Sequence, residues 1–201
     1  MFTDIEGYTA LMQRSEEEAM RFRAAHRKIF DSLTTKFNGE IIQYYGDGTL
    51  IIFNSSVYAV KCGIAMQMAF QKDTNIPVRV GIHSGDIVIT DYDIIGDDVN
   101  VASRVESFDV PGSFIFSDKL FDEIKNNSDI KSIYLDTFKL KNVKHPFGIY
   151  AISNDGLVVP PRKAITGKLE KEKSVTKRIL SGAAIVLLLV AAWFVQDLLQ
   201  V

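Results

Sequence analysis

Along most of the chain, segments with hydrophobic residues at helical spacing alternate with segments typical of strands. The order of these segments constrains the fold more than any other feature. Apolar residues recur at helical spacing from a capping-box serine, Ser15, to Gly39. Residues 41–45 and 49–53 follow as two apolar strands, and residues 2–5 look like the end of an earlier strand. The pattern therefore begins with a strand, a long amphipathic helix and a hairpin.

The remaining patterns add a second helix, a second hairpin and several closing elements. They predict a helix from Ser55 or Ser56, a hairpin of residues 78–82 and 86–90, a short helix, a strand at 113–116, a helix at 118–125, and strands at 133–140 and 148–152. This order predicts an antiparallel-rich sheet with helices on one face, the ferredoxin-like α+β class. We assign residues 1–152 to this domain.

Composition argues against nucleic-acid binding and against a disulfide framework. The chain has 201 residues and a formal net charge of −2, and no segment interleaves basic with aromatic side chains. Cys62 is the only cysteine, so no intrachain disulfide can form. Its apolar neighbours predict a small buried side chain in a helix, in a protein of a reducing compartment.

A long uncharged segment near the C-terminus predicts a membrane span. Residues 179–196 contain no charged side chain. A helix over residues 179–199 would be roughly 30 Å long, enough to cross the hydrocarbon core. Residues 153–178 form a polar linker in which basic residues exceed acidic ones, which favours the cytoplasmic side. We expect a single-pass membrane protein whose domain faces the cytoplasm; a buried or partner-packing apolar helix is the alternative.

Two aspartates at the ends of apolar runs suggest metal-assisted chemistry on a nucleotide. Asp4 lies in the segment FTDIEG, and Asp47 lies between Gly46 and Gly48. Carboxylates are the hard oxygen ligands that Mg²⁺ and Mn²⁺ bind beside substrate phosphates, and glycine leaves room for close approach. Taken alone, residues 46–48 are also typical of an ordinary hairpin turn.

Four segments occur in a fixed order along the first domain. They are residues 2–9 (FTDIEGYT), 46–48 (GDG), 78–85 (VRVGIHSG) and 96–104 (GDDVNVASR). Their combination resembles the catalytic domain of class III adenylate and guanylate cyclases, and residues 140–146 (LKNVKHP) are similar to bacterial members. The resemblance covers residues 1–152 and implies the nucleotide cyclase fold. The Gly-Gly-Asp/Glu-Glu-Phe signature of diguanylate cyclases is absent.

The resemblance implies an adenylate cyclase, which converts ATP into 3′,5′-cyclic AMP and pyrophosphate in cyclic nucleotide signalling. In this family the ribose 3′ oxygen attacks the α-phosphorus and pyrophosphate leaves. By similarity, Asp4, Asp47 and the backbone carbonyl of Ile5 hold two divalent ions, Mg²⁺ or Mn²⁺, at each site.

Three further residues are expected at the substrate by the same resemblance. Asn100 matches the residue that orients the ribose, and Arg104 matches the one that stabilises charge on the α-phosphate. They are four residues apart, on one face of a helix. Arg79 matches an arginine that contacts phosphate. From the residues alone, Arg79 is equally well a surface strand charge, Asn100 a helix N-terminal residue and Arg104 a solvated side chain.

Base recognition departs from the family pattern at one position. Adenylate-forming members usually carry Lys, and guanylate-forming members Glu, four residues before the second metal aspartate; this chain has Gln43. Asp93, seven residues before Asn100, keeps the companion position and favours the 6-amino group of adenine. An amide both donates and accepts, so guanylate cyclase activity remains the alternative, as does a solvent-facing strand position for Gln43.

The family assembles each site from two chains, which implies a homodimer. The metal aspartates of one chain meet the asparagine and arginine of the other, so a two-fold dimer has two complete sites. Two rival functions remain: a catalytically inactive nucleotide-sensing or dimerisation module, which Gln43 and the short first strand suggest, and a membrane scaffold whose domain is incidental.

Overall fold

A computed structural model describes residues 1–90, 94–107, 109–140, 143 and 145–165. The predicted linker is therefore described only up to residue 165, and the predicted transmembrane helix, residues 179–199, lies outside the described residues. In the part that is described, no helix is both long and apolar enough to cross a membrane.

The centre of the fold is a seven-stranded mixed sheet. The described ranges contain nine strands: β1 (Phe2–Ile5), β2 (Gly39–Tyr45), β3 (Gly48–Phe53), β4 (Val78–Ile82), β5 (Val88–Ile89), β6 (Ile94–Ile95), β7 (Phe114–Ser117), β8 (Ser132–Phe138) and β9 (Phe147–Ile152). The sheet order is β2-β3-β1-β4-β7-β9-β8, while β5 and β6 pair separately. Every neighbouring pair in the large sheet is antiparallel except β4 with β7. The antiparallel-rich sheet predicted from the sequence is thus confirmed, with one parallel pair added.

Five α-helices accompany the sheet in the described residues. They are α1 (Tyr8–Arg14), α2 (Glu16–Lys36), α3 (Ser56–Ala69), α4 (Asp97–Glu106) and α5 (Asp118–Ile124). The Ser15 side chain accepts a hydrogen bond from the backbone N–H of Glu18 at 3.3 Å, which confirms the predicted helix start. Cys62 is buried in α3, as its neighbours indicated.

The helices cover both faces of the sheet, so the prediction of helices on one face is wrong. Phe114 and Phe116 pack in the core cluster that includes residues of α2, α3 and α5. Ile115, between them on β7, packs in a second cluster with Val101 and Val105 of α4. Alternate side chains of a strand point to opposite faces, and here both sets are apolar, so each face needs a helical cover.

The predicted second hairpin, residues 78–82 with 86–90, is also wrong. Residues 78–82 form β4, which pairs with β1 on one side and with β7 on the other. Both edges of β4 are therefore occupied, and no edge is left for residues 86–90. Of these residues only Val88–Ile89 is a strand, and it pairs with Ile94–Ile95.

His26 of α2 lies inside an aromatic stack of the main core. Its ring centroid is 4.2 Å from that of Phe30 and 5.5 Å from that of Phe70, and the residue is 1 % exposed. Burial, with a smaller contribution from the charge of Arg27, lowers the pKa of His26 to about 3. The folded protein therefore holds this imidazole neutral, and protonation favours the unfolded chain.

We expect His26→Phe to make stability less sensitive to acid. The pKa of His26 is depressed on folding, so its contribution to stability is lost as pH falls from about 6.5 towards about 3. Between pH 7 and pH 5 the wild type should lose about 2 kcal/mol of unfolding free energy through this residue, and the variant should keep it. Urea unfolding at both pH values measures the difference, and an equal loss in both proteins would contradict the assignment.

Candidate active site

Asp4 of strand β1 and Asp47 of the turn between β2 and β3 lie side by side. The register pairs Thr3 of β1 with Thr49 of β3, which brings the β2–β3 turn next to Asp4. The carboxyl groups of Asp4 and Asp47 lie close enough to interact. Burial first, and then the negative charge of Asp4, raise the pKa of Asp47 to about 6. Two carboxylates this close repel each other when both are ionised, so the pair attracts a cation.

The turn that carries Asp47 is built around two glycines. Gly46 has φ +60°, a left-handed conformation that favours glycine. A Cβ atom on Gly48 would lie 2.8 Å from the carbonyl oxygen of Thr3 and 3.7 Å from an Asp4 carboxylate oxygen. Residues 46–48 thus form the hairpin turn that their sequence indicates, and the same turn brings Asp47 against Asp4.

Arg79 supplies the positive charge beside this pair. The sheet register pairs it with Asp4 across β1 and β4, and its guanidinium contacts the Asp4 carboxylate. Its Nη1 lies 3.0 Å from a Glu6 carboxylate oxygen, and its Nε lies 3.1 Å from Oε1 of Glu106. Burial alone would lower the pKa of Arg79, but the charges of Glu106, Asp4 and Glu6 hold it above its ordinary value. Only 20 % of the side chain is exposed, so Arg79 is not a free surface charge.

Asn100 and Arg104 form a second group on helix α4. Both line a pocket of about 280 Å³ together with residues 97, 98, 101, 143, 145 and 147. Asn100 is exposed and Arg104 is half-buried. Neither Asp4 nor Asp47 is among the lining residues. The structure therefore brings Asp4, Asp47 and Arg79 together at one place, and Asn100 and Arg104 together at another.

The beginning of α4 is fixed by a polar network that the sequence did not reveal. Asp98 accepts a hydrogen bond from the backbone N–H of Asp86 at 3.0 Å, and Lys119 Nζ lies 3.3 Å from its carboxylate. Nε2 of the buried His83 lies 2.9 Å from Asp98, and Nδ1 lies 2.5 Å from the hydroxyl of Ser117. Burial lowers the pKa of His83 below its ordinary value. The network fixes the first turn of the helix that carries Asn100.

Of the two residues expected to select the base, the structure describes only Gln43. Gln43 is exposed on β2, beside an irregularity in the pairing between Ile41 and Gln43. Asp93 lies outside the described residues. The roles of both residues stay predictions.

The acidic pair suits a hard divalent cation. Among the described residues, no group of three or more His, Cys, Asp or Glu side chains could hold a metal. Mg²⁺, however, needs only one or two carboxylates when phosphates and water complete its shell. The hydrocarbon side chain of Ile5 is buried in the core and has no ligating atom, so this residue could contribute only its backbone oxygen. In the structure Asp4 is paired with the guanidinium of Arg79.

Comparison with known proteins agrees with the resemblance in the sequence. The chain is 33% identical over 170 residues to "Putative adenylate cyclase 3" of Rhizobium meliloti (strain 1021), covering 80% of this chain and 29% of that relative. It thus spans less than a third of the relative's length.

Solved structures give the same picture. An adenylate/guanylate cyclase/hydrolase from Silicibacter pomeroyi superposes with a TM-score of 0.68 at 31% identity, covering 76% of this chain and 94% of the other. An adenylyl cyclase from P. aeruginosa superposes with a TM-score of 0.66 at 27% identity, covering 78% and 94%. The family profile described as "Adenylate and Guanylate cyclase catalytic domain" matches residues 1–154. The chain therefore belongs to the family of adenylate and guanylate cyclase catalytic domains.

Proposed function

We propose that the chain forms a homodimer that converts ATP into 3′,5′-cyclic AMP and pyrophosphate, with two divalent metal ions, Mg²⁺ or Mn²⁺, at each site. The contact between the carboxyl groups of Asp4 and Asp47 carries this proposal. Keeping two carboxylates together is unfavourable without a cation, and their position beside a glycine turn leaves space for a phosphate. The relatives named as adenylate cyclases support the choice of product.

Each group of residues has a separate task in this reaction. Bound divalent ions would lower the pKa of the attacking ribose hydroxyl and neutralise the phosphates. Asp4, Asp47 and the carbonyl of Ile5 hold these ions. Asn100 orients the ribose, and Arg104 donates hydrogen bonds to the α-phosphate as negative charge develops there.

The functional residues of one chain fall into two separate groups, which supports a dimer with shared sites. Asp4 and Asp47 lie in the acidic group, while Asn100 and Arg104 line the pocket on α4. In a two-fold dimer, one self-complementary interface repeats every contact twice. It would place the acidic group of each chain opposite the asparagine and arginine of its partner.

The main rival function is a nucleotide-binding module without catalysis. Gln43, which replaces the usual lysine, favours this rival. A binding module, however, has no need for a metal-binding carboxylate pair together with an arginine that stabilises developing charge. The retention of Asp4, Asp47, Asn100 and Arg104 favours the enzyme.

We expect the chain to form cyclic AMP from ATP in the presence of Mn²⁺, and to form less cyclic GMP from GTP. Asp47→Asn removes a metal ligand and Arg104→Ala removes stabilisation of the α-phosphate, so each variant should lose at least about a hundredfold in kcat. Chromatographic separation of the products made from each nucleotide measures this. Absence of any cyclic product from the dimeric wild-type protein would refute the proposed activity.

Mixing the two variants tests whether the sites are shared between chains. Half of the dimers in an equal mixture are heterodimers, and each heterodimer has one intact site out of two, so about a quarter of the wild-type activity should return. A mixture of Asp47→Asn with Asp4→Asn is the matched control, because both changes affect the same half of the site. Recovery in the control, or none in the first mixture, contradicts the shared site.

Gln43 gives a separate test of base selection. We expect Gln43→Lys to lower KM for ATP about three- to tenfold, because a charged donor to adenine N1 is stronger than an amide. GTP serves as the internal control, since guanine N1 carries a hydrogen and gains nothing from a lysine. An unchanged KM for ATP would show that Gln43 is a solvent-facing strand residue.

We also propose that residues 179–199 anchor the chain in a membrane, with residues 1–152 as a cytoplasmic catalytic domain and residues 153–178 as the linker. The uncharged apolar run and the basic residues before it support this. The full chain should sediment with membranes and resist alkaline carbonate, whereas a chain ending at residue 178 should stay in the supernatant. If both versions stay in the supernatant, the anchor is wrong.

A further inference from the structure

A single guanidinium is shared by three carboxylates from two separate parts of the chain. Arg79 of β4 contacts Asp4 of β1, Glu6 just after β1 and Glu106 at the end of α4. Arginine has five N–H donors in a planar fork, so it can contact several carboxylates at once. One of its three partners is also a member of the carboxylate pair that would hold the metal.

The three partners differ in how strongly solvent screens them. The side chain of Glu106 is 11 % exposed, that of Asp4 24 % and that of Glu6 48 %. Ion pairs weaken as exposure to water grows, because water and salt screen the charges. Glu106 is therefore the partner whose charge acts most strongly on Arg79.

The backbone of Glu106 is held against the same strand that carries Arg79. A Cβ atom on Gly81 would lie 2.3 Å from the backbone nitrogen of Glu106 and 2.4 Å from its Cα. Asp109, three residues beyond Glu106, accepts a hydrogen bond from the backbone N–H of Val80 at 3.2 Å. The end of α4 thus lies directly on β4, and the fold holds the backbone of Glu106 beside the strand that carries Arg79.

We propose that Glu106 is a positioning residue that keeps Arg79 in the cluster while Asp4 exchanges the guanidinium for a divalent cation. Without metal, Arg79 neutralises Asp4. When a divalent cation binds Asp4, the guanidinium stays paired with Glu106 and Glu6, next to the position expected for the substrate phosphates. This inference rests on the proposed function, because it takes Asp4 and Asp47 as the metal ligands.

The proposal gives the direction in which Glu106 should affect metal binding. Arg79 and the divalent cation compete for the same carboxylate, so any group that draws Arg79 away from Asp4 favours the metal. Removing the charge of Glu106 strengthens the pairing of Arg79 with Asp4. Removing the guanidinium ends the competition, and the effect of Glu106 on the metal should disappear with it.

The test is a double-mutant cycle on Mn²⁺ affinity of the full chain at fixed pH, without nucleotide. Free Mn²⁺ is measured by electron paramagnetic resonance. We expect Glu106→Gln to weaken binding about three- to tenfold, Arg79→Gln to bind at least as tightly as the wild type, and Glu106→Gln to have no effect when added to Arg79→Gln. Glu6→Gln is the matched control, since it removes the same charge at an exposed position and should weaken binding less.

Two outcomes would overturn the proposal. If Glu106→Gln weakens Mn²⁺ binding equally with and without Arg79, Glu106 acts only as a distant negative charge. If it changes nothing with Arg79 present, Glu106 does not position the guanidinium.

Thermal melts and circular dichroism check that each variant is folded. If Glu106→Gln does not fold, Glu106→Asp replaces it in the same cycle, since it keeps the charge and shortens the reach; unchanged affinity in that variant also overturns the proposal.

Asp47→Asn separates this inference from the proposed function. If Asp47→Asn loses Mn²⁺ binding while Glu106→Gln leaves the Mn²⁺ affinity unchanged, only the role of Glu106 is overturned. Mn²⁺ binding by Asp47→Asn equal to that of the wild type would overturn both, because the carboxylate pair would then not be the metal site.

Discussion

The contact between the carboxyl groups of Asp4 and Asp47 is the constraint on which the rest of this site depends. Sheet register and a glycine turn bring the two groups together, and burial and mutual repulsion raise the pKa of Asp47 to about 6. A fold that only needed a hairpin would have no reason to keep two carboxylates in contact, since like charges repel. The unfavourable pair is compensated by positive charge, which Arg79 supplies through Asp4 in the structure.

Helix α4 connects the two groups of functional residues. It carries Asn100 in its first turn and Arg104 in its last turn, both on the pocket, and its last residue, Glu106, reaches the guanidinium beside the acidic pair. Close packing of this end on Gly81 and the network around Asp98 at the other end fix the helix at both termini.

Local features of the site could be predicted from the sequence, and long-range ones could not. The helix start at Ser15 and the turn at residues 46–48 depend on neighbouring residues, and both were predicted. The partners of β4 and the face covered by α4 depend on residues far along the chain, and both predictions were wrong. Glu106 was missed for the same reason, since a glutamate near the end of a helix is typically solvated, and only the packing of α4 on β4 brings it to Arg79.

Charge explains why one group alone does not make a complete site. The group around Asp4 contains Asp47, Glu6 and Glu106 against a single guanidinium, so it is net acidic and repels a triphosphate unless cations are bound. The pocket on α4 offers Arg104 and the amide of Asn100, which suit phosphate and ribose. Asp97 and Asp98 also line this pocket, but the carboxylate of Asp98 is already contacted by His83 and Lys119. In the dimer that we propose, the two complementary groups face each other across the interface. Neither chain then needs to bury an uncompensated excess of one charge within its own fold.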